Sequence, residues 1–133
     1  MDRASRRFSL EKFFVALSDR TRMRLLNLMR EDEVCVCFLV EVLECPQSTV
    51  SRHLAYLRQA GLAGARKEGR WMHYRIVEPS DEHAARILRE TLSSLAKDRE
   101  MQRDRSRLVK FCCLEDIPAH LQDAPRPATL QTG

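Results

Sequence analysis

The segment ECPQSTVSRHLAYLRQAGL, residues 44–62, constrains the fold more than any other part of this chain. Pro46 has no N–H to donate and a fixed φ, so it ends a helix before it and can open one after it. Beyond it, Val50, Leu54 and Leu57 recur at i, i+4 and i+7 and make one inward face, while Ser48, Ser51, Arg52 and Ala55 lie opposite. Gly61 is placed to end that helix as its C′ residue. The stretch before the break, VCVCFLVEVLE, reads as a short apolar helix. A short helix, a tight break and a second amphipathic helix make a helix-turn-helix.

The flanking segments extend the unit. Downstream, LAGARKEGRWMHYRIV predicts two short strands around KEGR, with Gly69 supplying a positive φ: a β-hairpin, or wing. Upstream, SLEKFFVALSD carries Leu10, Phe13, Phe14 and Leu17 on one stripe with Ser9 as N-cap, and SDRTRMRLLNLMRED continues as a helix capped by Ser18 or Asp19. Pro79 opens one long predicted helix, PSDEHAARILRETLSSLAKDREMQRDRS, with Ile87, Leu88, Leu92, Leu95 and Met101 as its apolar stripe. From FCCLED onward, prolines and scarce apolar residues predict an irregular or disordered tail. The expected fold class is mainly α with a small β-hairpin wing, a winged helix-turn-helix. Its expected organisation is an N-terminal arm (1–8), a winged helix-turn-helix domain (9–105) and a tail bearing a Cys-Cys pair (106–133).

A recognition helix needs short polar side chains at its N-terminal end, where they reach base edges and phosphates. Gln47, Ser48, Thr49, Ser51 and Arg52 supply them: Gln can pair with adenine, Arg with guanine, and hydroxyls with phosphate or base. His53 adjoins this set, although its place before the core-facing Leu54 favours packing or bonding between helices. Lys67 and Arg70 flank the wing turn and are candidates for phosphate or minor-groove contact, whereas Trp71 and Tyr74 read as hairpin packing. The bland alternatives are a capped surface helix and an ordinary charged hairpin tip. The formal net charge of +4 over 133 residues adds a mild bias toward polyanions. No long apolar run begins the chain or approaches the length of a membrane span, so no membrane partner and a cytoplasmic location are expected. The five cysteines, an odd number without an export signal, read as thiols. No phosphate-binding glycine loop, HExxH or nucleophile elbow is present, so an enzyme is not expected.

LSDRTRMRLLNLM, ECPQSTVSRHLAYLRQAGL and ARKEGRWMHYRI resemble the ArsR/SmtB family of winged helix-turn-helix metalloregulators over roughly residues 9–105. VCVC at the start of the third helix is similar to the arsenic-responsive repressors of that family. The resemblance implies a homodimer, joined through its first and last helices, that binds double-stranded operator DNA and leaves it when an inducer binds. It also implies As(III), with Sb(III) as a second candidate, held by cysteine thiolates, which suits the softness of the metalloid.

Two departures stand out. A third Cys three residues after the second is replaced by Val40, and the acidic residue after the second Cys by Phe38. Side chains two apart on a helix point away from each other, so Cys35 and Cys37 are expected to share an ion only if the first turn opens. Cys45 lies eight helical residues, roughly 12 Å, from Cys37 and reads as a turn or packing residue. The expected ligand set is therefore Cys35 and Cys37 with Cys112 or Cys113, from the same subunit or its partner; the alternative is small buried cysteines and incidental tail thiols. The family's other site, on the last helix, is expected to be absent: Asp81 and His83 match its first half, but Ser94 and Lys97 cannot complete it. Methylarsenite, cadmium, lead or an oxidant remain alternative signals. From another class, a thiol-based arsenic carrier or redox protein would leave Gln47, Ser51, Arg52 and the wing without a role.

Overall fold

The computed structural model describes residues 8–113 and 117–130. Helix α1, Leu10–Leu17, starts where Ser9 accepts a hydrogen bond from the Lys12 amide at 3.2 Å. Helix α2, Arg20–Leu28, is capped by Asp19, which accepts from the Arg22 amide at 3.0 Å. A two-residue strand β1, Val34–Cys35, leads directly into α3, Val36–Leu43. That helix ends at Glu44 in the left-handed region (φ 55°), and Pro46 opens α4, Gln47–Gln59. Strands β2, Ala63–Glu68, and β3, Trp71–Ile76, form the wing around Gly69 at φ 59°, the positive φ a two-residue hairpin turn needs. Helices α5, Glu82–Leu95, and α6, Arg99–Cys113, come next, then two 3₁₀ turns, Ala119–Leu121 and Ala128–Leu130.

The helix-turn-helix and the wing stand where the sequence places them. The wing has a third strand that the sequence pattern did not reveal: the sheet order is β1-β3-β2, all antiparallel, with Val34 opposite Tyr74 and Cys35 opposite His73. The expected long helix is two helices, because Asp98 Oδ1 caps a new start by accepting from the Glu100 and Met101 amides (2.9 and 3.2 Å). The second of these runs through residue 105 to Cys113, so the segment expected to be an irregular tail is helical at its beginning. Residues 117–130 are irregular as expected but pack on the core, burying Ile117, Leu121 and Ala124. Arg126 Nε donates to the Cys112 carbonyl at 2.7 Å, and the Thr129 amide donates to Asp32 at 2.7 Å, just ahead of β1.

One core unites these elements. Phe13, Leu25, Leu26, Leu28, Phe38, Leu39, Val50, Leu54, Leu57 and Leu62 are fully buried within it. On α1 the expected stripe divides: Phe13 and Leu17 go inward, while Leu10, Phe14 and Val15 stay 46–47% exposed. Helix α6 is fastened to α2 by a bidentate pair, Arg24 Nε and Nη2 to the two Asp104 oxygens at 2.7 and 2.9 Å, with Asp104 only 2% exposed. Asn27 Nδ2 donates to the Met101 carbonyl beside it at 3.0 Å.

Removing one partner of a buried pair leaves an uncompensated charge, whereas an exposed pair contributes little. Asp104→Ala should therefore cost roughly 3 kcal/mol. Arg20→Ala, which loses the exposed contacts to Asp98 and Glu100, should cost under about 1 kcal/mol. Denaturant midpoints at equal protein concentration check the contrast.

Candidate functional site

Cys35 has φ −64° and ψ 139°, an extended conformation immediately before α3. Its side chain is therefore not bound by helical spacing, and its sulfur lies 3.0 Å from the Cys37 sulfur in the first turn. This corrects the expectation that the helix must open before the thiols can meet: pairing of β1 with β3 holds Cys35 outside the helix. Cys35 is fully buried and Cys37 half-buried. The pair loses one proton readily and holds the other. The hydrogen bond from Cys37 brings Cys35 down to about 7, against its burial, while that same bond and burial push Cys37 up.

The other sulfurs lie elsewhere. Cys45 is in the turn, with its thiol 3.5 Å from the Leu43 carbonyl. Cys112 is buried in the core, and that burial, with Cys113 beside it, pushes its thiol up to about 12. Cys113 is exposed, its sulfur 3.6 Å from the Leu130 carbonyl. Among the described residues, no three His, Cys, Asp or Glu side chains gather as a metal site. Within one protomer, then, the structure brings Cys35 and Cys37 together and does not bring Cys112 or Cys113 to them. Asp81 caps α5, accepting from the His83 and Ala84 amides at 2.9 Å.

A cleft of about 340 Å³ opens beside Cys37. One wall is Val36 and Val40 of α3; the other is Arg70, Trp71 and Met72 of the wing. Gln47, the first residue of α4, and the pair Glu41–His120 (2.8 Å) also line it. These cleft residues could not be grouped from sequence because they come from four separate parts of the chain. Strand β1 left a signal: the β-branched residues alternating through Val34-Cys35-Val36 suit a strand as well as a helix.

The candidate reading residues divide by exposure. Gln47, Ser48 and Arg52 are exposed and Thr49 and Ser51 half-buried, with Ser48 and Arg52 on the face of α4 opposite buried Val50, Leu54 and Leu57. Arg52 Nη2 lies 3.5 Å from the Thr49 hydroxyl. His53 is turned toward α2, with Nδ1 3.3 Å from Arg22 Nη1 and 3.7 Å from Asp19 Oδ2, so it ties α4 to α2 rather than joining the exposed face. Lys67 and Arg70 are exposed at the wing tip, Arg70 lying over the Trp71 ring at 4.6 Å from its centroid. Buried His73 donates from Nε2 to Glu68 Oε1 at 2.8 Å, and Arg66 pairs with Glu33, whose carboxyl it holds below the usual range.

A polar-tipped helix in a helix-turn-helix, flanked by a sheet wing, defines a winged helix-turn-helix protein. Residues 19–64 match the model of the bacterial regulatory proteins of the arsR family. The chain is 42% identical over 80 residues to the arsenical resistance operon repressor of Escherichia coli (strain K12), spanning 59% of this chain and 68% of that protein. It is also 37% identical over 78 residues to a cadmium resistance regulator, a CadC homolog of Staphylococcus aureus, across 58% of this chain and 62% of that one. In structure it is similar to the homodimeric winged helix-turn-helix DNA-binding domain of a possible ArsR-family regulator from Mycobacterium bovis. That match has a TM-score of 0.55 and 26% identity, covering 68% of this chain and 81% of that one. The chain belongs to the ArsR family, whose members are transcriptional regulators rather than enzymes. Among the described residues, no helix is long and apolar enough to cross a membrane.

The shared proton predicts a specific titration. Ultraviolet thiolate absorbance should show one ionisation near pH 7, below the ordinary thiol value of about 8.5. Cys37→Ala removes the bond that favours the Cys35 thiolate and leaves the burial, so that ionisation should move up. An unchanged titration would mean that the two thiols do not share the proton.

Proposed function

We propose that this regulator is an arsenic(III)-responsive repressor: a dimer that holds operator DNA and is released when the metalloid is taken up by Cys35 and Cys37. The observation that carries this reading is the 3.0 Å approach of two thiols at the junction of β1, α3 and the wing. Soft trivalent arsenic is matched by thiolate donors, and this pair supplies two of them without a change of backbone. The similarity to the Escherichia coli repressor supports arsenic as the signal; the similarity to the cadmium regulator makes Cd(II) the alternative to test. Cys112 or Cys113 enters the site only from a second copy or after rearrangement.

DNA contact falls to Gln47, Ser48, Thr49, Ser51 and Arg52 of α4 in the major groove, with Lys67 and Arg70 of the wing on the flanking backbone. The exposed apolar residues Leu10, Phe14 and Val15 of α1, with Val109 of α6, suit a second copy as their cover. The resulting dimer places two reading helices on an inverted-repeat operator.

Two measurements test this. In operator-release titrations with arsenite and Cd(II), Cys35→Ser/Cys37→Ser should lose the arsenite response while still binding DNA, and Cys112→Ser/Cys113→Ser should keep it. A normal response from the first variant would sink the assignment. Arg52→Ala should weaken specific binding by about 1–3 kcal/mol and relax the sequence preference. Lys67→Ala should instead weaken all sequences alike and lower the salt slope by about one.

A further inference from the structure

Arg58, in the last turn of α4, and Arg75, on β3, are exposed cations that hold no acid. Among the described residues, neither guanidinium makes a hydrogen bond or a salt bridge. Glu33, a carboxylate that feels the Arg75 charge, is already taken by Arg66. Both arginines line a groove between α4 and the outer strand of the sheet, β2. Ala55, Arg58 and Gln59 form its helical wall, and Gly64, Ala65 and Arg75 the wall from the sheet. The groove continues the reading face, since Ser48, Arg52, Ala55 and Gln59 recur at i, i+4, i+7 and i+11 along α4 and all are exposed.

Gly64 accounts for the position of Arg75. The two residues face each other in the β2–β3 ladder, and directly opposed residues share one face of a sheet. A glycine inside a strand weakens it and marks a place where another group comes close. Here that group is the guanidinium: a methyl on Gly64 would stand 2.8 Å from Arg75 Cζ and Nη2. With no side chain in its way, Arg75 lies across β2 toward the groove.

We propose that Arg58 and Arg75 together seat a phosphate of the operator backbone in the α4–β2 groove, apart from the base-reading end of α4 and from the wing tip. The inference rests on the reading of α4 and the wing as the DNA surface and adds two residues to it. Guanidinium forks match the oxygens of a phosphodiester, and small Ala55, Gly64 and Ala65 leave room for a nucleic-acid backbone to come close. From Gly64, β2 runs about 10 Å to Lys67, so the same strand leads from this seat to the wing tip. Phosphate contacts carry no sequence information but fix register. The pair therefore sets how deeply Gln47, Ser48 and Arg52 enter the groove they read.

The full-length protein selects a duplex from a random pool, and its binding to that duplex and to an unrelated one is followed across a salt series. Arg58→Ala and Arg75→Ala should each lower the slope of log K against log salt by about one, weakening both duplexes alike. Arg75→Lys keeps the charge and should retain most of the slope. Gly64→Ala is the sharper probe. Alanine suits a strand, and the atoms it meets are the far end of a flexible side chain. The melting temperature should therefore hold or rise while the guanidinium is pushed out of its seat. Gly64→Ala should lower the slope by about one, and adding Arg75→Ala to it should change nothing further. A scan of single uncharged methylphosphonate linkages should find a position in each half-site that weakens the wild type but not Arg58→Ala/Arg75→Ala.

A slope left unchanged by both arginine variants overturns the proposal, as does a loss confined to the selected duplex, which would make the arginines base readers. A normally melting Gly64→Ala that keeps the full slope, or whose effect adds to that of Arg75→Ala, overturns the seating of Arg75. Should Gly64→Ala lower the melting temperature, the arginine variants and the methylphosphonate scan decide alone. If the wild type selects no duplex, or Arg52→Ala and Lys67→Ala leave binding untouched, the DNA-reading assignment beneath the proposal falls instead.

Discussion

The pairing of Val34–Cys35 with His73–Tyr74 is the interaction on which the rest of the site depends. It draws two residues out of what would otherwise be the first turn of α3, giving Cys35 the extended backbone that lets its sulfur reach Cys37. It also makes the thiol pair part of the wing sheet, because β3 is shared between β1 and the hairpin. Arg66 and Glu33 reinforce this junction from β2, across the sheet. A chain with the same helices but no β1 would leave two cysteines on divergent sides of a helix, with no shared function.

The reading helix is held differently. Val50, Leu54 and Leu57 fix one face of α4 in the core, and His53, wedged against Asp19 and Arg22, fixes its angle to α2. Its N-terminal end has no side-chain cap and is held by the Pro46 carbonyl, which accepts from the Thr49 and Val50 amides at 3.0 and 3.1 Å. The element is therefore anchored along its length by its core face and leaves Ser48 and Arg52 turned to solvent. Residues 117–130 add a brace on the far side of α3, joining Glu41 to His120 and Asp32 to Thr129.

Features decided by local chemistry were legible in the sequence, and those decided by distant partners were not. The turn at Pro46 and the Val50, Leu54, Leu57 face were readable because local spacing and backbone chemistry determine them. The wing was readable from Gly69 and its flanking strands. Strand β1 was not, because its partner lies about forty residues away and its own residues suit a helix equally well. The break at Asp98 was missed because a capping carboxylate in a helical pattern looks like any surface charge. The docking of 117–130 was missed because three buried residues, Ile117, Leu121 and Ala124, are too sparse to show a period. The thiols were found by type and spacing, but their geometry was misjudged, since it depends on that unseen strand.

An inducer changes occupancy of DNA only through different affinities for the bound and released conformations. Moving a promoter from nearly full to nearly empty needs roughly 5 kcal/mol of such difference. Cys35 ends β1 and Cys37 lies in the first turn of α3, so a metalloid bridging them joins the wing sheet to the helix that precedes the reading helix. Gln47 and Arg70 are common to the candidate reading surface and the lining of the cleft beside Cys37. By linkage, whatever spreads those two residues weakens DNA binding by the factor by which DNA weakens its entry. Under the proposed reading, arsenic on the thiol pair acts beside those two residues, so the site that supplies its affinity also supplies the coupling.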